Sequence, residues 1–170
     1  SLARWAKEGA NVHVAFLADG IASRGGETPD VEELTARRSA AREACKIMGL
    51  STDPEFHDLP DNQLDSVALL SIVQKIEAII KRYQPDTVLT HHVGDVNIDH
   101  QRVHQAVVTA CRPQPGHPVR SLLFYEVSSS TEWQPPGSSA AFTPNVFVNI
   151  SDTLAHKKNA LAAYDYEMRA

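Results

Sequence analysis

The sequence predicts an α/β fold with a largely parallel sheet. Strand-like and helix-like segments alternate along its 170 residues, the order that lays crossover helices on a parallel sheet. The strand candidates are short apolar runs, most of them followed by a polar loop and then an apolar stripe of helical period. No internal repeat interrupts this order.

Leu2 to Glu8 reads as a helix ended by Gly9. Val12 to Ala18 is apolar apart from His13 and ends at Asp19-Gly20, which predicts a buried strand and a turn, with His13 packed inside. Ile21 to Asp30 holds Gly25, Gly26 and Pro29 and reads as a loop. Val31 to Met48 is helical, with Leu34, Ala41, Cys45 and Met48 on one face and Gly49 as its stop. Glu55 to Leu59 suits a short strand. Asp61 or Asp65 then caps a helix whose stripe is Leu69, Ile72, Ile76, Ile79, Ile80 and Tyr83.

Pro85-Asp86 introduces the strand Thr87 to Thr90. Asp99 starts a helix in which Val103, Ala106, Val107, Ala110 and Cys111 share a face, and Pro113, Pro115 and Pro118 end it. Ser121 to Val127 is a strand. Ser128 to Pro144, rich in Ser, Pro and Gly and carrying Trp133, is a long surface loop of the kind that is usually functional or mobile. Val146 to Ile150 reads as a last strand, and Ser151 or Asp152 caps a final helix through Tyr166. The chain begins inside a helix without an initiator Met and stops without a closing feature. We therefore expect a single truncated domain, residues 1–170, cut from something longer.

Composition narrows the function classes. A net charge of −5 argues against a broad nucleic-acid surface. No apolar run approaches the ~20 residues of a membrane span, and the start does not read as a signal peptide. Cys45 and Cys111 fall on apolar helix faces, as buried reduced thiols do. Without a CxxC pair, a cysteine zinc site is not expected. A cytoplasmic protein fits best.

The chemistry concentrates between Thr90 and His104, where four histidines and two aspartates follow a strand and open a helix. Open α/β sheets place their ligands in the loops that leave the carboxyl ends of strands. Imidazole and carboxylate groups crowded there point to metal or acid–base chemistry. His100, at the helix start beside Asp99, is placed to bind a divalent metal, with a neighbouring acceptor orienting its second nitrogen. His91, His92 and Asp95 share the loop. His104 sits four residues after His100, but it lies beside the buried Val103–Val107 face and suits a structural role. Asp19 ends the first strand at the same sheet edge. Arg24 is placed to reach an anionic or polyhydroxyl substrate. His57, His117 and His156 read as surface or packing residues.

The stretch Asp-x-Asn-x-Asp-His-x-x-Val-x-x-Ala-Val, Asp95 to Val107, resembles the second motif of the LmbE-like, or PIG-L, de-N-acetylases. Supporting matches are Phe16 to Gly20 with Ser23-Arg24, Arg37-Arg38 with Glu43-Ala44 and Met48-Gly49, and Arg82 to Asp86 through Thr90-His91. The resemblance implies a Rossmann-like three-layer sandwich and zinc-dependent removal of acetyl from N-acetylglucosaminyl or related acylated sugars or glycoconjugates. It implies His100 as a zinc ligand, Asp99 as the group that orients its surroundings, and Asn97 at the position where relatives carry an oxyanion-stabilising His. His91 or His92 would protonate the leaving amine or orient Asp95. Arg24 and the loop Ser128 to Pro144 would contact the sugar and its aglycone.

The family's first motif, Ala-His-Pro-Asp-Asp-Glu, does not occur in this chain, nor does the strand that carries it. That motif supplies two zinc ligands and the general base. Three explanations follow: truncation, completion of the sheet by a homo-oligomer or swapped segment, or a degenerate relative. The rival functions are a non-catalytic Rossmann-like sugar- or nucleotide-binding module, which the absence of GxGxxG weakens, and an inactive fragment of the deacetylase family. No GxSxG elbow supports a serine hydrolase.

Overall fold

A computed structural model describes residues 1–21 and 31–165. In it, parallel strands alternate with helices, as the sequence predicts. The contacts gather into two compact units, Ser1–Pro60 with Asn145–Ala170, and Asp61–Pro144.

The first unit contains α1 (Leu2–Lys7), β1 (Ala15–Ala18), α2 (Val31–Ile47), β2 (Glu55–Leu59) and α5 (Leu154–Ala162). β1 and β2 pair in parallel, Ala15 opposite Glu55 and Phe16 opposite Phe56, with a register shift before Ala18 meets Leu59. Asp58 accommodates the shift with φ 52°, a left-handed conformation that Asp tolerates better than most residues. Phe16 and Phe56 stack at 5.5 Å, and the guanidinium groups of Arg38 and Arg42 cover the Phe56 ring. Ala40, Ala41, Ala44 and Cys45 form the buried stripe of α2, which packs against α5. Small side chains there let the two helices approach closely. At the predicted turn, Gly20 has φ +77°, and a Cβ on it would press on the Arg37 side chain at 2.8 Å.

The second unit contains α3 (Leu69–Tyr83), β3 (Thr87–His91), α4 (Ile98–Ala110) and β4 (Ser121–Tyr125). β3 and β4 run parallel in unbroken register from Thr87–Ser121 to His91–Tyr125. α3 buries Ile72, Val73, Ile76 and Ile80 and packs on α4, which buries Ala106, Val107 and Ala110. Burying such an aliphatic side chain contributes roughly 1.5–3 kcal/mol. Leu64, in the turn before α3, has no exposed surface.

Several expectations need correcting. β1 starts at Ala15 rather than Val12, and His13 lies before it, exposed, with Nδ1 3.1 Å from the Thr52 hydroxyl. β4 ends at Tyr125, two residues early. Val146 to Ile150 forms no strand; Val146 and Phe147 are 58% and 82% exposed. β-branched composition favours an extended segment only when a partner strand and a covering face exist, and none of the described strands pairs with this one. Neither Asp61 nor Asp65 caps α3, whose N-cap is Ala68 without a side-chain bond. α5 follows a 3-10 turn at Ser151–Thr153, so Thr153 takes the position expected for Ser151 or Asp152. Cys45 is buried, Cys111 half-buried, and both are free thiols. None of the described helices is long and apolar enough to cross a membrane.

Candidate functional site

The site residues of the second unit meet where β3 and β4 end and α4 begins. Asn97, not Asp99, is the N-cap of α4: its side-chain oxygen accepts from the backbone N–H groups of Asp99 (2.8 Å) and His100 (3.3 Å). That cap sets the first helical turn and with it the direction in which His100 leaves the helix.

Asp95 is the hub. It is fully buried, and its two carboxylate oxygens take four bonds. Oδ1 accepts from the Asn97 amide at 2.8 Å and lies 3.1 Å from His100 Nδ1. Oδ2 accepts from the Ser130 hydroxyl at 2.9 Å and the Thr131 hydroxyl at 2.7 Å. Burial alone would raise the Asp95 pKa, but the bonds from Thr131, Asn97, His100 and Ser130 outweigh it and hold the carboxyl below its ordinary value. Gln101 adds a 2.6 Å bond to the Asp95 carbonyl.

Asp99, expected to orient groups around His100, faces elsewhere. Its carboxylate accepts from the amides of Asn62 (2.7 Å) and Leu64 (2.9 Å), which ties the turn before α3 to the start of α4. Burial raises its pKa, and those two bonds only partly offset the rise. The carboxylate that holds His100 is therefore Asp95.

His91 ends β3 and stacks flat on His100, ring centres 3.9 Å apart and planes 10° apart. Its Nε2 meets the Tyr125 hydroxyl at 3.1 Å across the β3–β4 pair, and its Nδ1 is buried without a hydrogen-bond partner. Burial, then the neighbouring His100, push its pKa down to about 3. Burial and the Asp95 charge push the Tyr125 phenol up to about 12. His104 donates from Nδ1 to the His91 carbonyl (2.9 Å) and packs on Phe124, the structural placement expected of it.

His92 turns to the long loop. Its Nε2 lies 2.8 Å from the Ala140 carbonyl, and its ring meets Phe142 edge-on at 5.3 Å. Gly94 permits this closure, because a Cβ there would run into the Ala140 carbonyl. Asp19 directly follows β1 in the first unit, where its Oδ1 accepts from the Ile21 amide at 3.0 Å. Arg24, like Ser23, lies outside the described residues.

Sequence reasoning missed Tyr125, Ser130 and Thr131. The run Ser128-Ser129-Ser130-Thr131 just past a strand's carboxyl end was the available signal, since hydroxyls there can serve a buried carboxylate.

The donor set can be tested against a zinc ion. A catalytic zinc takes three protein ligands and a water. His100 fits one such position, because Asp95 engages its Nδ1 and leaves Nε2 to face outward. His91 does not join it. Imidazole lone pairs lie in the ring plane, and two rings stacked 3.9 Å apart cannot both aim at one ion. Among the described residues no group of three His, Cys, Asp or Glu side chains is arranged to hold a metal.

A half-buried histidine paired with a buried carboxylate beyond the carboxyl ends of parallel strands occupies the ligand-site position of an α/β protein. The family model for GlcNAc-PI de-N-acetylase, PIG-L, matches residues 1–111, and the chain belongs to that family. No curated protein matches it. Among solved structures, the conserved protein TT1542 from Thermus thermophilus is similar at 26% identity and a TM-score of 0.70, over 96% of this chain and 70% of that one. GalB, the 4-carboxy-2-hydroxymuconate hydratase from Pseudomonas putida, is similar at 22% identity and a TM-score of 0.73, over 98% and 71%. The N,N'-diacetylchitobiose deacetylase from Pyrococcus horikoshii is similar at 16% identity and a TM-score of 0.72, over 99% and 64%.

Proposed function

We propose that this chain is the part of a zinc-dependent de-N-acetylase that carries His100 as a metal ligand, acting on an N-acetylglucosamine-containing or related acylated sugar. The observation that carries the reading is the His100–Asp95 pair, 3.1 Å apart with the carboxylate fully buried. Membership of the PIG-L family supports the reaction class. A hydratase shares the fold, so the fold alone does not select amide hydrolysis.

A bound zinc would polarise the acetyl carbonyl and lower the pKa of a water toward ~7. The protein's own part is orientation. Asp95 fixes the His100 ring, and Asn97 fixes the backbone beneath it. The side-chain oxygen of Asn97 is committed to the cap, which leaves its NH2 group as the donor for an oxyanion. His91 stays neutral down to about pH 3, so protonation of the leaving amine does not fall to it. Its part is the flat face that keeps His100 in plane, and the part of His92 is to hold the loop 128–144 over the turn. Trp133, 65% exposed on the 3-10 turn Thr131–Trp133, offers a sugar ring a flat apolar surface. Asp19 and Arg24 remain candidate substrate contacts.

The test is acetate release from N-acetylglucosaminides by the protein as its gene encodes it, with chelator and with zinc restored. We expect zinc-dependent turnover that His100→Ala abolishes. Full activity of His100→Ala would overturn the assignment. Sugar binding without turnover or stoichiometric zinc would favour the non-catalytic module.

A further inference from the structure

We infer that Ser130 and Thr131 are positioning residues that, through Asp95, hold the His100 imidazole in its Nδ1–H form with Nε2 turned outward. The value of this inference for metal binding rests on the ligand role proposed for His100; the hydrogen-bond logic does not.

The direction of each bond can be followed along the chain of contacts. The Val127 amide donates to the Thr131 hydroxyl oxygen at 2.7 Å. An amide N–H can only donate, so the Thr131 hydrogen is left for Asp95 Oδ2, 2.7 Å away. The Ser130 hydroxyl adds a second donor to the same oxygen at 2.9 Å. The Asn97 amide, again a pure donor, takes one lone pair of Oδ1. A carboxylate surrounded by donors on both oxygens is an acceptor at every position, including the one that faces His100 Nδ1. That nitrogen must therefore carry the hydrogen, and the lone pair falls to Nε2. Ser130 Oγ, 3.4 Å from the same Nδ1, offers the hydrogen a second, weaker acceptor.

Both hydroxyl residues are buried, at 7% and 6% exposure. Thr131 opens the 3-10 turn that leaves β4, and Ser130 is the N-cap of that turn. Without them, Asp95 would keep a buried oxygen with no donor and would be free to rotate or take up a proton. Either change lets His100 present Nδ1 as an acceptor instead. The long loop thus contributes more than cover: its first turn sets which nitrogen of His100 is available.

The experiment uses the full-length, metal-free protein with 15N-labelled histidine. Long-range 1H–15N correlation reads the His100 tautomer directly, and zinc affinity is measured separately by competition with a chelator. In the wild type we expect a single Nδ1–H form. Thr131→Val, which keeps the shape and removes the hydroxyl, should give a mixture of tautomers and weaken zinc binding by about 10–100-fold. Thr131→Ser should restore both. Should Thr131→Val fail to fold, Ser130→Ala leaves the Val127–Thr131 bond intact and carries the same test. An Nε2–H form in the wild type, or an unchanged tautomer in the variants, overturns the inference. A lowered unfolding temperature with an unchanged tautomer marks a purely structural role and also overturns it. Failure of the wild type to bind zinc defeats the proposed function, while the tautomer result still decides the positioning role.

Discussion

Acidifying the metal-free protein should destabilise it through His91. Its ordinary pKa of 6.5 falls to about 3 on folding, because burial and the stacked His100 penalise the charged ring. Between those two values the unfolded chain binds a proton that the folded chain refuses. The contribution of His91 is therefore complete above about pH 6.5 and is lost progressively as the pH falls toward 3. Each unit inside that window costs about 1.4 kcal/mol, so moving from about pH 7.5 to about pH 5 removes at most about 2 kcal/mol. Urea denaturation followed by circular dichroism at several pH values measures this. The comparison is with His91→Phe, whose ring keeps the stack on His100 but does not titrate. Loss of the Tyr125 contact shifts that variant by an offset independent of pH in this range, and other titrating groups cancel in the difference. The wild type should fall more steeply than the variant. Parallel lines for the two proteins, or an NMR titration in which His91 takes up its proton near pH 6.5, would refute the reasoning.

Three further outcomes follow from single contacts. Asp99→Ala should cost about 2–4 kcal/mol in denaturant unfolding, because the Asn62 and Leu64 amides lose their acceptor beside a buried leucine. Asn97→Ala should cost about 1 kcal/mol through loss of the α4 cap, and in the active protein it should lower kcat more than it raises KM if its amide meets an oxyanion. Gly94→Ala should drive Ala140 off the histidine turn, cost about 1–3 kcal/mol, and speed proteolysis within the loop 128–144.

Periodicity made the helices legible. The stripe of α3 is strongly one-sided, and Ile72, Ile76 and Ile80 are buried where the pattern places them. The histidine loop was legible because its residues are neighbours in sequence. Its internal wiring was not. Asp95 finds Ser130 and Thr131 35 and 36 residues away, and such a pairing exists only once β3 and β4 lie side by side. The exchange of roles between Asp95 and Asp99 has the same origin: both carboxylates sit close to the helix start, and only the packed turn at Asn62–Leu64 decides which one turns away. Val146 to Ile150 misled because its β propensity is a property of side chains that fit a sheet, and none of the described strands accepts it.

The route of the chain through the first unit has a consequence for synthesis. Arg4 donates to the Asn149 carbonyl at 2.7 Å, and α2 packs on α5, so the unit's opening and closing segments complete each other across the 84 residues from Asp61 to Pro144. On the ribosome the opening segment must wait, at roughly 5–20 residues per second, for its counterpart to emerge. The unit Asp61–Pro144, which is continuous in sequence, can close first. Order of synthesis and order of completion are thus reversed between the two units, and chaperone demand should fall on the segment Ser1–Pro60 while it waits.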